Sequence, residues 1–364
     1  MNILLHIFRG LVIVLLATAT TTSVAAKSGV FELLQNDDIP TLTLRTDLVV
    51  LLEESKTDAA HPAVLSWETR TGQAEEWPLK ISARGKYRRR VCDFPPLRLK
   101  FDRDDLERRH LNRHNKLKLV THCLDDRAEG QTNLLREYLA YQLYQAITPY
   151  SYRVQLVKIH YVDENRRVNG FRRYAFLIED TDDMAERIGG EECDACMNPS
   201  PQVLDRRAEN LHALFQFMIG NTDYSLPMVR NMKLVTMADG RLVPVGYDFD
   251  FAGLVNAAYA LPASELGQVH VRQRIFLGMY VEDSIMQENI ALLRRQRQHL
   301  EAVIDDCKLL LTEERDDMLY FLNGFYTELD RVGQQGGNLF LALKETHPQA
   351  MPAGGAHEHY QIGR

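Results

Sequence analysis

Between residues 40 and 120 the chain changes side-chain character at almost every second position. "EWPLKISARG" (76–85), "FPPLRLKF" (94–101) and "NKLKLVTHC" (115–123) alternate apolar and polar residues between turn-forming ones. "PTLTLRTDLVVLLEE" (40–54) and "HPAVLSWETR" (61–70) are rich in β-formers. Such alternation presents one apolar face per segment and commits the region to sheet. At 134–147, "LLREYLAYQLYQAI" switches to helical spacing, with Leu135, Leu139, Leu143 and Ile147 on one face. Two more strand-like runs follow at 152–163 and 172–180, joined by "ENRRVNG", whose Asn169–Gly170 is a hairpin-turn dipeptide. The first half therefore reads as a sheet with one helix inserted before its last two strands.

After Glu179 the pattern turns helical. "TDDMAERIG" (181–189), "VLDRRAENLHALFQFMIG" (203–220) and nearly everything from 283 to 332 carry helical spacing, interrupted by the polar loop "NTDYSLPMVRN" (221–231) and by "GYDFDFAG" (246–253). This order predicts an α+β, two-lobed protein-kinase-like fold. Residues 27–180 form a strand-rich N-terminal lobe with one helix, and 181–345 a helical C-terminal lobe that holds the polar loop. Residues 346–364 read as a mobile tail, and the "HEH" within them lacks the H-E-x-x-H metal spacing.

Residues 1–26 have the order of a secretory signal peptide: Arg9, an apolar core, then "SVAA", with cleavage expected after Ala26. An uncleaved anchor is the alternative, but the apolar run is short for a span. The expectation is a protein exported to the periplasm or secreted, with no stable membrane span after signal removal. A net charge of −7, with "KYRRR" (86–90) the one basic cluster, argues against nucleic acid as a partner. Export permits disulfides. Cys193 and Cys196 are spaced for a local disulfide, with metal or redox work the alternatives; Cys92 and Cys123 both sit near strands and can pair. Cys307, in a helical pattern, reads as a core residue.

Phosphoryl transfer needs few protein parts: a cation on the phosphates, a carboxylate on the attacking hydroxyl, and oxygen ligands for a divalent ion. Each has a candidate. Asp223 follows a helix, where a loop carboxylate can face a cleft; Asn231 ends the same loop and offers an amide oxygen to a hard cation. Asp248 and Asp250 flank Phe249 at the end of a strand-like run, so their carboxylates share a face and repel unless a cation or proton lies between them. Lys118 alternates with Lys116 on one strand face, and Glu137 lies on the helix that follows; Lys100 is the rival lysine on the neighbouring strand. No Walker-type phosphate loop, no G-x-G-x-x-G and no G-x-S-x-G is present.

These residues, with "KLKLV", "LLREYLAYQLY", "YRVQLVKIHYVD", "RRYAFLIED", "GNTDYS…N" and "YDFDFAG", give residues 80–260 a resemblance to the spore-coat protein H (CotH-type) kinase-like family. The resemblance implies Asp223 as the catalytic-loop aspartate and Asn231 and Asp248 as metal ligands, with Asp250 a candidate second. It places Glu179 at the connection between lobes, near the adenine, and implies ATP and Mg²⁺ or Mn²⁺ as cofactors. Seven residues separate Asp223 from Asn231, more than the D-x-x-x-x-N of protein kinases, so either the loop bulges, which Pro227 fits, or Asn231 is not the ligand. The expected function is metal-dependent transfer of the ATP γ-phosphate to a hydroxyl of a protein substrate. In this scheme Lys118 or Lys100 is held by Glu137. The alternative is a non-catalytic binding or envelope-assembly protein; transfer to a small molecule or glycan is a third possibility.

Overall fold

The computed structural model describes residues 27–69 and 71–345. The expected signal peptide (1–26) and mobile tail (346–364) lie outside the described residues. Among the described residues no helix is long and apolar enough to cross a membrane.

Seven strands form the first half: β1 (Thr41–Thr46), β2 (His61–Glu68), β3 (Ala74–Ala83), β4 (Leu97–Phe101), β5 (Lys116–Val120), β6 (Val154–Asp163) and β7 (Phe171–Ile178). They hydrogen-bond in the order β1-β2-β3-β4-β5-β7-β6 and close into a barrel. Closure is made by β1 and β6, which run parallel with Thr41 opposite Lys158 and Thr46 opposite Asp163; every other pairing is antiparallel. The alternating side chains fill the interior: Leu42, Leu44, Leu65, Trp77, Leu79, Ile81, Leu97, Leu99, Leu117, Leu119, Val157 and Ile159 belong to one buried cluster. Inward positions of a small barrel must be packed in this way, because its interior is too narrow for water.

The helices are α1 (Val30–Leu34), α2 (Leu48–Glu53), α3 (Arg88–Val91), α4 (Arg103–Arg108), α5 (Arg127–Ile147), α6 (Thr181–Arg187), α7 (Arg206–Ile219), α8 (Asp283–Asp305), α9 (Thr312–Gln335) and α10 (Leu339–Glu345). A second, three-stranded sheet pairs β8 (Gly190–Glu192), β9 (Met232–Met237) and β10 (Leu242–Gly246). Helices α1 to α4 are too short for a periodicity to register. One of them splits a run that reads as strand throughout: Asp47 accepts from the Val50 N–H, caps α2, and ends the extended chain at Thr46.

The two-lobed kinase-like expectation is therefore corrected: the chain builds a closed seven-strand mixed barrel with helices packed against it. The reason lies in α5. Its apolar face (Leu135, Leu139, Leu143, Ile147) does not serve a separate first lobe. It shares one continuous core with α7, α8 and α9 and with Val154, Leu156, Phe176 and Ile178 from β6 and β7. Alternation marks which residues are strand, but it does not reveal that β1 and β6 meet and close the sheet.

Two disulfides form. Cys92–Cys123 ties the end of α3 to the segment after β5, and Cys193–Cys196 closes the loop after β8; Cys307 is free and half-buried against the main core.

Candidate functional site

Three carboxylates from distant parts of the chain converge on one guanidinium. Arg88, on α3, donates from Nε to Asp250 Oδ2 (2.7 Å) and from Nη2 to Glu137 Oε1 (2.8 Å) and Asp248 Oδ1 (2.9 Å). Arg88, Glu137 and Asp250 are buried, whereas Asp248 keeps part of its side chain open. The ligand oxygens of Glu137, Asp248 and Asp250 all lie within 4.8 Å of one another. Burial opposes the charge on Arg88, but Asp250, Glu137 and Asp248 outweigh it and hold the guanidinium pKa well above its usual value. Glu137 and Asp250 are pushed upward, first by burial and then, against the pull of Arg88, by the neighbouring carboxylates.

Asp248 and Asp250 do not share a strand face as the sequence suggested. β10 ends at Gly246, and Asp248 adopts a left-handed backbone (φ 65°). Its N–H donates to the buried Tyr141 Oη on α5 (2.8 Å). That turn aims both aspartates at Arg88.

The second part is the loop between α7 and β9. Gly220, in the left-handed region (φ 66°), ends α7, and a Cβ there would press on the Phe321 ring. Asn221 is fully buried: its amide donates to Gln216 Oε1 (2.9 Å) and its carbonyl oxygen accepts the Asp223 N–H (2.9 Å). Asn231, also left-handed (φ 54°), donates from Nδ2 to the Asp223 carbonyl (2.6 Å) and to Asp223 Oδ2 (2.9 Å). The intervening residues form a tight hairpin in which Ser225 and Arg230 exchange backbone bonds, so the longer spacing is accommodated by the expected bulge. The Asn231 carbonyl accepts from the Tyr247 N–H (3.0 Å), which sets this loop beside Asp248. Burial lifts the Asp223 pKa to about 6; Arg230 opposes this, while Asp248 and Asp250 add to it.

Lys118 provides the third part, though not in its expected pairing. Glu137 is taken by Arg88, and Lys118 Nζ instead meets Thr181 Oγ1 (3.2 Å) and the rings of Tyr152 (4.5 Å) and Tyr247 (5.0 Å). Among the described residues no carboxylate forms an ion pair with it. Burial, then Arg84 and Lys233, drive its pKa down to about 7, with Asp180 and Glu192 opposing. Lys100 is exposed on β4, opposite Lys80 and Lys116, and takes no part. Glu179 is fully buried, but its carboxylate accepts from the Arg153 N–H (2.6 Å), Arg153 Nε (2.8 Å) and Arg187 Nη2 (2.5 Å). That side chain is consumed in bracing the end of β7, so any nucleotide contact there falls to the backbone.

Arg88 is the residue that site reasoning missed. Its signal was "KYRRR", the one basic cluster in an acidic chain.

The donor set suits a hard divalent cation: carboxylate and amide oxygens, with three clustered carboxylates facing a single guanidinium and a fourth, Asp223, nearby. No family model matches this chain, and no curated protein matches it.

Proposed function

We propose that this protein is a metal-dependent phosphotransferase that uses ATP and transfers its terminal phosphoryl group to a hydroxyl acceptor. One relationship carries the reading: Tyr247 lies against the Lys118 ammonium, which has no carboxylate partner among the described residues, while the next residue, Asp248, belongs to the carboxylate cluster. A site hungry for anions thus adjoins a site with surplus negative charge. A polyphosphate complexed to a divalent cation satisfies both at once.

Lys118, with Arg84 and Lys233 near it, would bind phosphate oxygens. Asp248 and Asn231 would hold the cation, which supplies charge neutralisation on the phosphates. Asp223, anchored by Asn221 and Asn231, would orient the acceptor hydroxyl. Such catalysis rests on positioning and charge rather than on covalent chemistry. The similarity to CotH-type kinase-like proteins in the quoted motifs supports the same assignment.

A second reading has its own observation. Arg88 already supplies a cation at the centre of the cluster, as expected of a non-catalytic binding or envelope-assembly protein in which the acidic site is purely structural. Thermal unfolding separates the two, because a ligand of the native state raises the melting temperature. The phosphotransferase reading expects a rise with MnATP that exceeds the rise with Mn²⁺ alone and disappears in Asp248→Asn. No shift with any nucleotide or metal supports the second reading.

A further inference from the structure

A cavity of about 580 Å³ opens beside the loop that carries Asp223. Thr222, Tyr224 and Arg230 form its loop wall, and Leu226, Met232, Leu277 and Met279 give it an apolar body. The size and lining are those of a small-molecule pocket rather than a packing defect. Cys193 and Cys196 pack against the small core that includes Tyr224, Leu226 and Met232, so the local disulfide braces this wall.

Two polar groups point to the occupant. Tyr224 is 6% exposed, yet its Oη has no hydrogen-bond partner among the described residues. An orphan buried hydroxyl is costly unless something meets it. Glu209, on α7 and 5% exposed, accepts one bond, from the Met279 N–H (3.2 Å), and forms no ion pair among the described residues. Burial lifts the Glu209 pKa to about 7, and Lys344 and Arg206 draw it down, but neither forms an ion pair with it. Arg206 pairs with Glu282 (3.4 Å), Lys344 lies against the Phe276 and Phe340 rings, and Arg230 faces Asp223 (3.5 Å). His212 is tied to Tyr144 Oη (2.9 Å) and, through burial, remains neutral. Glu265 adds a second carboxylate to the lining.

We infer that this cavity binds a small amphipathic amine, its apolar body among the Met and Leu side chains and its ammonium on Glu209 and Tyr224 Oη. A buried carboxylate with spare acceptor capacity, beside a hydroxyl that can also accept, selects a donor with several protons. The inference does not depend on phosphotransfer, since binding is read without nucleotide.

The test is calorimetric titration of the intact protein with phenethylamine, tryptamine and 4-phenylbutylamine, each against the alcohol of the same skeleton. At least one amine binds about tenfold or more tightly than its alcohol, and Glu209→Gln removes that preference, the order expected for one charge-assisted hydrogen bond. Tyr224→Phe weakens the same amine while leaving the melting temperature of the free protein unchanged or higher, because it deletes an orphan hydroxyl. Equal binding of amine and alcohol, or no binding of any of the three amines, overturns the inference. So does full affinity in a folded Glu209→Gln protein.

Discussion

Arg88 Nε lies 2.7 Å from Asp250 Oδ2, a bond that joins α3 on the barrel side to the turn after β10. The same guanidinium reaches Glu137 and Asp248, so one side chain pins three elements together. Removing it leaves three carboxylates facing one another with no internal counter-charge. Arg88→Met should destabilise the protein by about 3–5 kcal/mol, the range for breaking one side of a buried ion pair. Urea unfolding measures this. Arg88→Lys should recover only part of the loss, because an ammonium is a point charge and cannot fork across three carboxylates.

Asp223 combines a raised pKa with its candidate role. Its carboxyl titrates near 6 in the folded chain, above the ordinary aspartate value, so folding favours the protonated form. The resulting stability is present at low pH and is lost as pH rises from the unfolded value through about 6. Asp223→Asn should therefore be more stable than the parent above pH 6 and no more stable below pH 4, as followed by thermal unfolding. Under the proposed phosphotransfer, in which Asp223 acts as a carboxylate, the rate should fall as pH drops through about 6 and vanish in Asp223→Asn at every pH. A pH profile that is flat from 5 to 8 removes Asp223 from the chemistry.

Much of the local structure is legible in the sequence. The strands and α5, with its buried Leu135–Leu139–Leu143 stripe, follow from hydrophobic period; α7 also carries helical spacing, although every residue from Glu209 to Ile219 is buried. The Cys193–Cys196 link is suggested by its short spacing, but hydrophobic period does not reveal that Cys92 pairs with Cys123, nor that Asp248 and Asp250 meet on Arg88. What periodicity cannot carry is which edges meet: the parallel β1–β6 seam that closes the barrel leaves no local mark. Nor does a pairwise rule foresee competition. The sequence offers Glu137 two lysines, Lys118 and Lys100, but Arg88 on α3 takes it, and Lys118 has no carboxylate partner among the described residues.

That ammonium makes a prediction of opposite sign. Lys118 titrates near 7 when folded, far below the ordinary lysine value, so the fold disfavours its charge. The penalty is complete below pH 7 and fades as pH rises toward the unfolded pKa. Lys118→Met should stabilise the free protein at pH 6, where the charge is fully imposed, and should abolish stabilisation by ATP or inorganic pyrophosphate. In the parent protein, pyrophosphate affinity should fall as pH climbs from 6 to 8.5, because the proton that the anion prefers is lost. Titration calorimetry across that range decides it, and affinity that is constant or rises with pH would count against Lys118 as the phosphate ligand.

The Cys92–Cys123 disulfide bears on Arg88 and Lys118 together. Cys92 caps α3, which carries Arg88, and Cys123 follows β5, which carries Lys118; the bridge spans a sequence separation of 31. Closing a loop of that length should contribute about 3–4 kcal/mol on the chain-entropy account. A paired Cys92→Ser, Cys123→Ser variant should lose roughly that much in urea unfolding. Its MnATP-induced rise in melting temperature should also shrink, because α3 is only one turn long and Phe94, just past it, bonds to the Cys123 backbone. The paired Cys193→Ser, Cys196→Ser variant is the control. Its disulfide braces the wall beside Tyr224, so it should leave the MnATP response intact and weaken amine binding instead. Equal effects of the two pairs on both ligands would mean that each bridge acts only on global stability.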